Sequence, residues 1–185
     1  MQAIQDIAIP LLEVSKPKEL AHGMKIYRAV SQGPFSFKLQ GLSIPFGPSV
    51  FNGTGDEERM SLVFNVPEDV ADIMNKWTES FQLQLEKISP DLSKKWHSSI
   101  KPANDKYPAQ LRTKLNVKGD KACQCYDMEG EYTSLPHCLC WRGLEVNAII
   151  RFGGVYVQKA NAGMLFDVTA LQFDPSVSRE QNPFA

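Results

Sequence analysis

Five side chains that bind soft metal ions fall within eighteen residues of this 185-residue chain. They are Cys123, Cys125, His137, Cys138 and Cys140. Zinc is usually held by four such ligands in a tetrahedron, with two or more residues between paired cysteines so that the chain turns around the metal. Here one residue separates each pair, which on a strand places both sulfurs on one face roughly 6 to 7 Å apart. The spacing favours buried structural cysteines, with a zinc module or a redox pair as the alternatives.

The same residues form no recognisable catalytic site. A cysteine nucleophile needs a base that makes it a thiolate, and neighbours on a strand, such as His137 and Cys138, point to opposite faces. The chain contains no phosphate-binding glycine loop with its lysine, no Gly-x-Ser-x-Gly turn and no His-Glu-x-x-His pair. We therefore predict no catalytic residue, no cofactor and a protein that is not an enzyme.

Basic and aromatic residues alternate in the second half of the chain. Proteins that bind single strands combine a positive groove along the phosphates with aromatic rings on which bases stack. The candidates for such contacts are Trp96, Tyr107, Arg112, Lys114, Lys118, Arg151, Phe152, Tyr156 and Lys159. Taken singly, each has an ordinary alternative, since a sheet face with a few cations is common and the rings could belong to the core.

The elements that must position these residues are mostly strands. Residues 111–118 alternate, so we expect Leu111, Thr113, Leu115 and Val117 to face inward and the cations between them to face outward. Further strands are predicted at 24–30 and 35–39, joined as a hairpin, and at 60–66, 121–128, 146–152, 155–159 and 164–173. We expect 121–128 to pair back on 111–118, and a turn at 160–163 to join the last two strands.

One helix interrupts the strands. Pro67 suits the first turn of a helix, Glu68 and Asp69 favour its positive end, and apolar residues recur at helical spacing from Val70 to Ile88. A second short helix is predicted from Asp91 to about Ser98. This order predicts an α+β, mainly antiparallel fold: an oligonucleotide-binding (OB)-like, partly open barrel with an inserted helix, with a β-sandwich as the alternative.

Length and composition bound the domain organisation. At 185 residues, 43% hydrophobic and 22% charged, the chain is expected to fold as one domain. We predict an OB-like domain over residues 1–173, a helical insertion at about 67–98 and a flexible tail at 174–185.

Charge is distributed unevenly. The formal net charge is −1, yet residues 52–86 hold eight acidic and two basic residues, whereas residues 87–121 hold nine basic and three acidic ones. No apolar run approaches the roughly 18 to 20 residues that span a bilayer, and residues 1–10 lack the pattern of a secretory signal. These features lead us to expect an intracellular protein with reduced cysteines and no membrane partner.

The order of features from residue 107 resembles the single-stranded DNA-binding proteins of large eukaryotic DNA viruses. Tyr107-Pro108 leads into the basic strand at 111–118; residues 142–157 follow after a turn, and a final glycine-led strand covers 163–173. The resemblance covers about a third of the chain. It implies an OB barrel that coats single strands, in the nucleus or at a viral replication site. Carried over by position, it supports Tyr107, Arg112, Lys114, Arg151 and Tyr156 as the strand-binding face.

Together, these observations predict a non-catalytic single-stranded DNA-binding protein acting in replication, repair or recombination. RNA remains open as a ligand, as do a homo-oligomer and replication or recombination proteins as partners. The first alternative is a structural or protein-interaction module, such as a virion or assembly protein, which the near-zero net charge favours. The second is the zinc-binding module built on the cysteine patch.

Overall fold

A computed structural model describes residues 2–30, 35–50, 58–136 and 141–176. Within these ranges there is one α-helix, α1 (Glu68–Leu85), which lies between the fifth and sixth strands. The strands are β1 (Gln2–Ala3), β2 (Lys18–Glu19), β3 (Lys25–Tyr27), β4 (Phe35–Ser43), β5 (Arg59–Asn65), β6 (Ile100–Lys101), β7 (Gln110–Asn116), β8 (Gln124–Tyr126), β9 (Tyr132–Thr133), β10 (Glu145–Val157) and β11 (Ala162–Gln172). No helix among the described residues has the length and apolar character needed to cross a membrane.

Five of these strands close into a barrel. Hydrogen-bonded neighbours follow the order β10-β4-β5-β7-β11, and β11 pairs again with β10. Closure is partial, because the described part of β4 meets β5 at the single pair Ser43–Asn65, and β7 runs parallel to β11 only at Lys114–Leu115. Mostly antiparallel strands, one inserted helix and a partly closed sheet confirm the predicted α+β, OB-like fold.

Alternation along β7 sets the two faces of the barrel. Leu111, Thr113 and Leu115 are buried, while Arg112 and Lys114 are exposed on the other side of the strand. This is the predicted inward and outward division, and it follows from the two-residue period of a strand.

The helix supplies one side of the core. Trp77 and Phe81 on its buried stripe are 1% and 0% exposed, and Phe81 stacks on Phe152 of β10 with ring centroids 5.3 Å apart. Trp77 also packs against Phe35 and Phe37 of β4. Such aromatic contacts add to the hydrophobic effect of burial. The predicted main helix is confirmed, whereas the second predicted helix is only a 3₁₀ turn over Ser93–Lys95.

Two predicted pairings and one predicted break between strands are wrong. β3 does not form a hairpin with β4, because both strands pair with β10, and residues 31–34 of the predicted turn lie outside the described residues. β8 pairs with β11 and β9 rather than with β7. The predicted strands 146–152 and 155–159 form one strand, β10. The first two errors concern which strand lies beside which, and local alternation carries no information on that.

A bulge in β10 separates the part of this strand that pairs with β4 from the part that pairs with β3. The β10–β11 register shifts between Phe152 and Gly154, and Gly154 has a φ of +115°. A Cβ at Gly154 would lie 2.4 Å from the carbonyl oxygen of Tyr27 in β3, so only glycine permits this approach. After the bulge, Val155 is buried and Tyr156 returns to the outward side of the sheet.

Candidate nucleic-acid interface

A buried carboxylate lies at the centre of the outward face formed by β5, β7, β10 and β11. Asp167 of β11 is 8% exposed. Its Oδ1 accepts a hydrogen bond from Nη2 of Arg59 at 2.6 Å, and its Oδ2 accepts one from Nη2 of Arg151 at 3.0 Å. A charge this buried needs such partners, because an unpaired carboxylate would be costly to desolvate. Asp167 therefore fixes the positions of two guanidinium groups from two other strands.

Two further cations lie beside this pair. Lys114 is the register neighbour of Asp167 across the parallel β7–β11 pairing, and Arg112 lies two residues earlier on the same face of β7. Burial lowers the pKa of Lys114, and the charges of Arg59 and Arg112 lower it further, while Asp167 opposes the shift. Arg59 and Arg112 are therefore close enough to Lys114 to disfavour its charged form.

We name this set the cationic face: Arg59, Arg112, Lys114 and Arg151 around Asp167. The set combines four basic side chains with one acidic side chain, so its formal charge is positive. The side chains of Arg59 and Arg151 remain 49% and 32% exposed, so each guanidinium retains donors that face solvent. Guanidinium groups with free donors match the geometry of phosphate oxygens.

Tyr156 lies on the same outward side, further along β10. Its register partner is Gly163 of β11, where a Cβ would meet the phenol ring at 3.2 to 3.3 Å. The absence of a side chain at Gly163 therefore leaves room for the ring against the β11 backbone. Burial raises the pKa of Tyr156, so the phenol is neutral in ordinary buffers and presents a partly exposed aromatic surface.

Phe152 is not on this face, contrary to the sequence prediction. Its side chain points into the barrel, is 4% exposed, and stacks on Phe81. Arg151 faces outward, so strand alternation turns Phe152 inward. A ring enclosed by the core cannot stack with a base.

Trp96 has a mostly structural position. It packs half-buried against the core, its backbone forms a parallel bridge to Ala162, and its indole nitrogen is buried without a hydrogen-bond partner. The chain that follows lies between β7 and β11: Ser99 accepts a bond from the Arg112 amide at 2.8 Å, and its hydroxyl donates to the Met164 carbonyl at 3.1 Å. Trp96 thus helps to anchor the segment that fills the gap between these two strands.

The remaining predicted residues lie in loops. Tyr107 is 53% exposed in a turn where its amide donates to the carbonyl and side-chain oxygens of Asn104. Lys118 is exposed just after β7, and Lys159 is exposed in the turn between β10 and β11. The structure therefore places Arg112, Lys114, Arg151 and Tyr156 on one side of the sheet. Tyr107, Lys118 and Lys159 lie in the loops near the ends of strands.

Two residues of the cationic face were not predicted. Arg59 lies on β5, where it pairs with Asn116 of β7. Asp167 lies on β11, where it pairs with Lys114 of β7. Asp167 did carry a signal in the sequence, since it is the one charged residue in a mainly apolar strand. Such a residue requires a cationic partner when it is buried, although the sequence does not identify that partner.

The cysteine patch is only partly within the described residues. Cys123 and Cys125 are both buried, in agreement with their prediction as structural cysteines. A hydrogen bond with Cys125, together with burial, raises the pKa of the Cys123 thiol. His137, Cys138 and Cys140 lie outside the described residues. The described parts of the chain contain no group of three or more His, Cys, Asp or Glu side chains placed to hold a metal ion.

Comparison with known proteins gives a match in structure but not in sequence. No protein-family model matches the chain, and no curated protein matches it. The fold is similar to that of the single-stranded DNA-binding protein from bacteriophage Enc34 in a C-terminally truncated form, with a TM-score of 0.52, 15% identity, and coverage of 85% of this chain and 92% of that chain. The same phage protein in complex with single-stranded DNA matches with a TM-score of 0.50, 14% identity, and coverage of 85% and 93%.

At these identities the similarity establishes the fold. The similarity is to a bacteriophage protein, and it does not confirm the predicted resemblance to proteins of large eukaryotic DNA viruses. The chain thus shares its overall fold with a phage single-stranded DNA-binding protein.

Proposed function

We propose that this protein binds single-stranded DNA on the outward face of its barrel, without catalysis. It would coat single strands during replication, repair or recombination, in the nucleus or at a viral replication site. The observation that carries the proposal is the cationic face, in which Asp167 holds Arg59 and Arg151 beside Lys114 and Arg112.

The charge of this face suits a phosphate backbone. Nucleic-acid binding is driven largely by the release of counterions when cationic side chains neutralise phosphates. Because Asp167 already orients two of the guanidinium groups, less side-chain entropy is lost when they meet a phosphate. The whole chain has a net charge of −1, so such attraction must come from a local concentration of charge.

The position of the face on the barrel also supports the proposal. OB folds bind oligonucleotides on the face of their second and third strands and with the loops that join strands one to two and four to five. In this barrel the second and third strands are β5 and β7, which carry Arg59, Arg112 and Lys114. Lys159 lies in the loop from the fourth barrel strand to the fifth. The phage protein of similar fold has been solved in complex with single-stranded DNA.

Exposed aromatic surface favours single strands over duplex. Tyr156 and Tyr107 present partly or largely exposed rings, and base–aromatic stacking contributes roughly 1 to 3 kcal/mol per base when the bases are unpaired. In a duplex the bases are already stacked on one another, so only the phosphate contacts remain.

The test is a binding titration with the full chain. A fluorescently labelled dT oligomer and a duplex of the same length are titrated by fluorescence anisotropy at low and at physiological salt. We expect the oligomer to bind at low micromolar protein, the duplex to bind more weakly, and both affinities to fall steeply with salt. Absence of binding to the oligomer at low salt would overturn the proposal.

A further inference from the structure

The outward face continues beyond the cationic face into a cavity. This cavity has a volume of about 250 Å³, and its lining includes Lys38, Tyr126, Ile149 and Ala170. Ile149 pairs with Lys38 of β4 on one side and with Ala170 of β11 on the other. It lies two residues before Arg151 on β10, a separation of about 6 to 7 Å along a strand. The cavity is therefore the next site along the same surface.

The polar groups at the end of this cavity are already satisfied. Asn147 donates to Oε1 of Gln172 at 3.1 Å and accepts from the Gly41 amide at 3.1 Å. Gln172 in turn donates to the carbonyl oxygen of Asp127 at 3.1 Å. Because these amides bond to one another and to the backbone, the cavity offers mainly apolar surface to a ligand, and that surface suits the face of a flat ring better than its hydrogen-bonding edge.

Aromatic and cationic groups border the apolar surface. The ring of Tyr126 lines the cavity and is held by a hydrogen bond from its hydroxyl to Oε1 of Gln124 at 2.9 Å. Tyr132 packs edge-on against it, with centroids 5.9 Å apart, and is itself 72% exposed. Lys38 supplies a positive charge at the border nearest β4. An apolar cavity with an aromatic wall and one cation has the elements that stack a base and contact its phosphate.

We propose that this cavity is a nucleobase subsite. It receives one base of the DNA strand whose phosphates lie on the cationic face, and Lys38 contacts an adjoining phosphate. The inference rests on the proposed function and extends it, because the cavity lies on β4, β10, β11 and β8, outside the β5–β7 face. The satisfied amides predict that the subsite accepts any base, since stacking reads no hydrogen-bonding edge.

The experiment compares two ligands with equal numbers of phosphates: a dT oligomer and a fully abasic oligomer of the same length. Ala170→Leu fills the cavity from its outward side without changing any charge, and Tyr126→Ala removes the aromatic side chain that lines it. Leu83→Ala, on the outer side of α1, is the control for loss of an exposed apolar side chain. Thermal unfolding verifies that each variant is folded.

We expect Ala170→Leu and Tyr126→Ala to weaken dT binding about tenfold, while abasic binding and the Leu83→Ala control remain at the wild-type level. Equal affinities of wild type and both variants for dT, or equal weakening toward dT and abasic ligand, would overturn the subsite and leave the proposed function standing. If Ala170→Leu does not fold, Tyr126→Ala alone decides by the same comparison. Failure of the wild type to bind either oligomer would instead overturn the proposed function.

Discussion

Arg151 and Asp167 face each other across the antiparallel pairing of β10 and β11, with Nη2 and Oδ2 3.0 Å apart. The carboxylate also accepts a hydrogen bond from Arg59 of β5, and β7 lies between β5 and β11 in the sheet. One buried acid thus links three strands and sets the geometry of the cationic face. Both the stability of the barrel and its proposed ligand contacts depend on this link.

Replacing Asp167 with Asn should lower the free energy of unfolding by about 1 to 3 kcal/mol, because the buried position loses its negative charge and one of its two acceptor oxygens. The cost stays moderate since both guanidinium groups can turn toward water. Chemical denaturation measures the change. Asp120→Asn in an exposed turn is the matched control and should leave stability within about 0.5 kcal/mol. Equal stability of the two variants would show that Asp167 does not link the strands.

Tyr156 and Phe152 should behave in opposite ways, although both were predicted as binding residues. Phe152→Ala should cost about 3 to 5 kcal/mol of stability, because the ring is enclosed by the core, and should leave the affinity of the folded protein unchanged. Tyr156→Ala should weaken dT binding several-fold with a smaller loss of stability. Denaturation and anisotropy on the same preparations give both quantities. Loss of affinity on the Phe152 substitution in folded protein would contradict this assignment.

The pKa of Lys114 predicts a dependence of binding on pH. Burial and the neighbouring arginines lower this pKa below the ordinary value of 10.5, so Lys114 loses its charge at a lower pH than an unperturbed lysine side chain does. A bound phosphate favours the charged form, so DNA affinity should fall as pH rises toward 10.5. Lys114→Arg should flatten this decline, because arginine stays charged. Identical pH profiles of wild type and variant would exclude Lys114 from the contact.

The same shift has a consequence for folding. Between the lowered pKa of Lys114 and 10.5, the unfolded chain binds more protons than the folded one, so this residue makes the protein more stable as pH rises through that window. Lys114→Gln should remove the increase. Denaturation at several alkaline pH values measures it, and an unchanged slope would count against the lowered pKa.

Gly154 should be intolerant of a side chain. A residue with a Cβ would be strained by the φ of +115°, and its Cβ would lie 2.4 Å from the Tyr27 carbonyl oxygen. Gly119→Ala is the matched control, since Gly119 has a φ of +75° but open space around its Cβ position. Backbone strain alone costs about 1 kcal/mol or more, so Gly154→Ala should destabilise further by displacing β3. Equal losses in the two variants would show that β3 does not need the close approach.

The sequence predicted what depends on local alternation. The two faces of β7 and the buried stripe of α1 follow from periods of 2 and 3.6 residues, and so Arg112 and Lys114 were placed correctly. The same rule, applied at Arg151, would have excluded Phe152 from the outward face. Pairing between distant strands has no such local signal. For that reason Arg59 and Asp167 were missed, and β3 was assigned to β4 when it pairs with β10.

The salt dependence of dT binding tests the central claim most directly. For single strands, the slope of log affinity against log salt changes by roughly 0.7 for each phosphate that the protein neutralises. Arg112→Gln with Lys114→Gln should therefore reduce the slope by about 1.4 and weaken binding at low salt. The control, Lys76→Gln with Lys87→Gln on and just after α1, changes net charge equally at exposed positions and should keep the wild-type slope. A wild-type slope in the β7 variant, or equal reductions in both variants, would contradict binding on the cationic face.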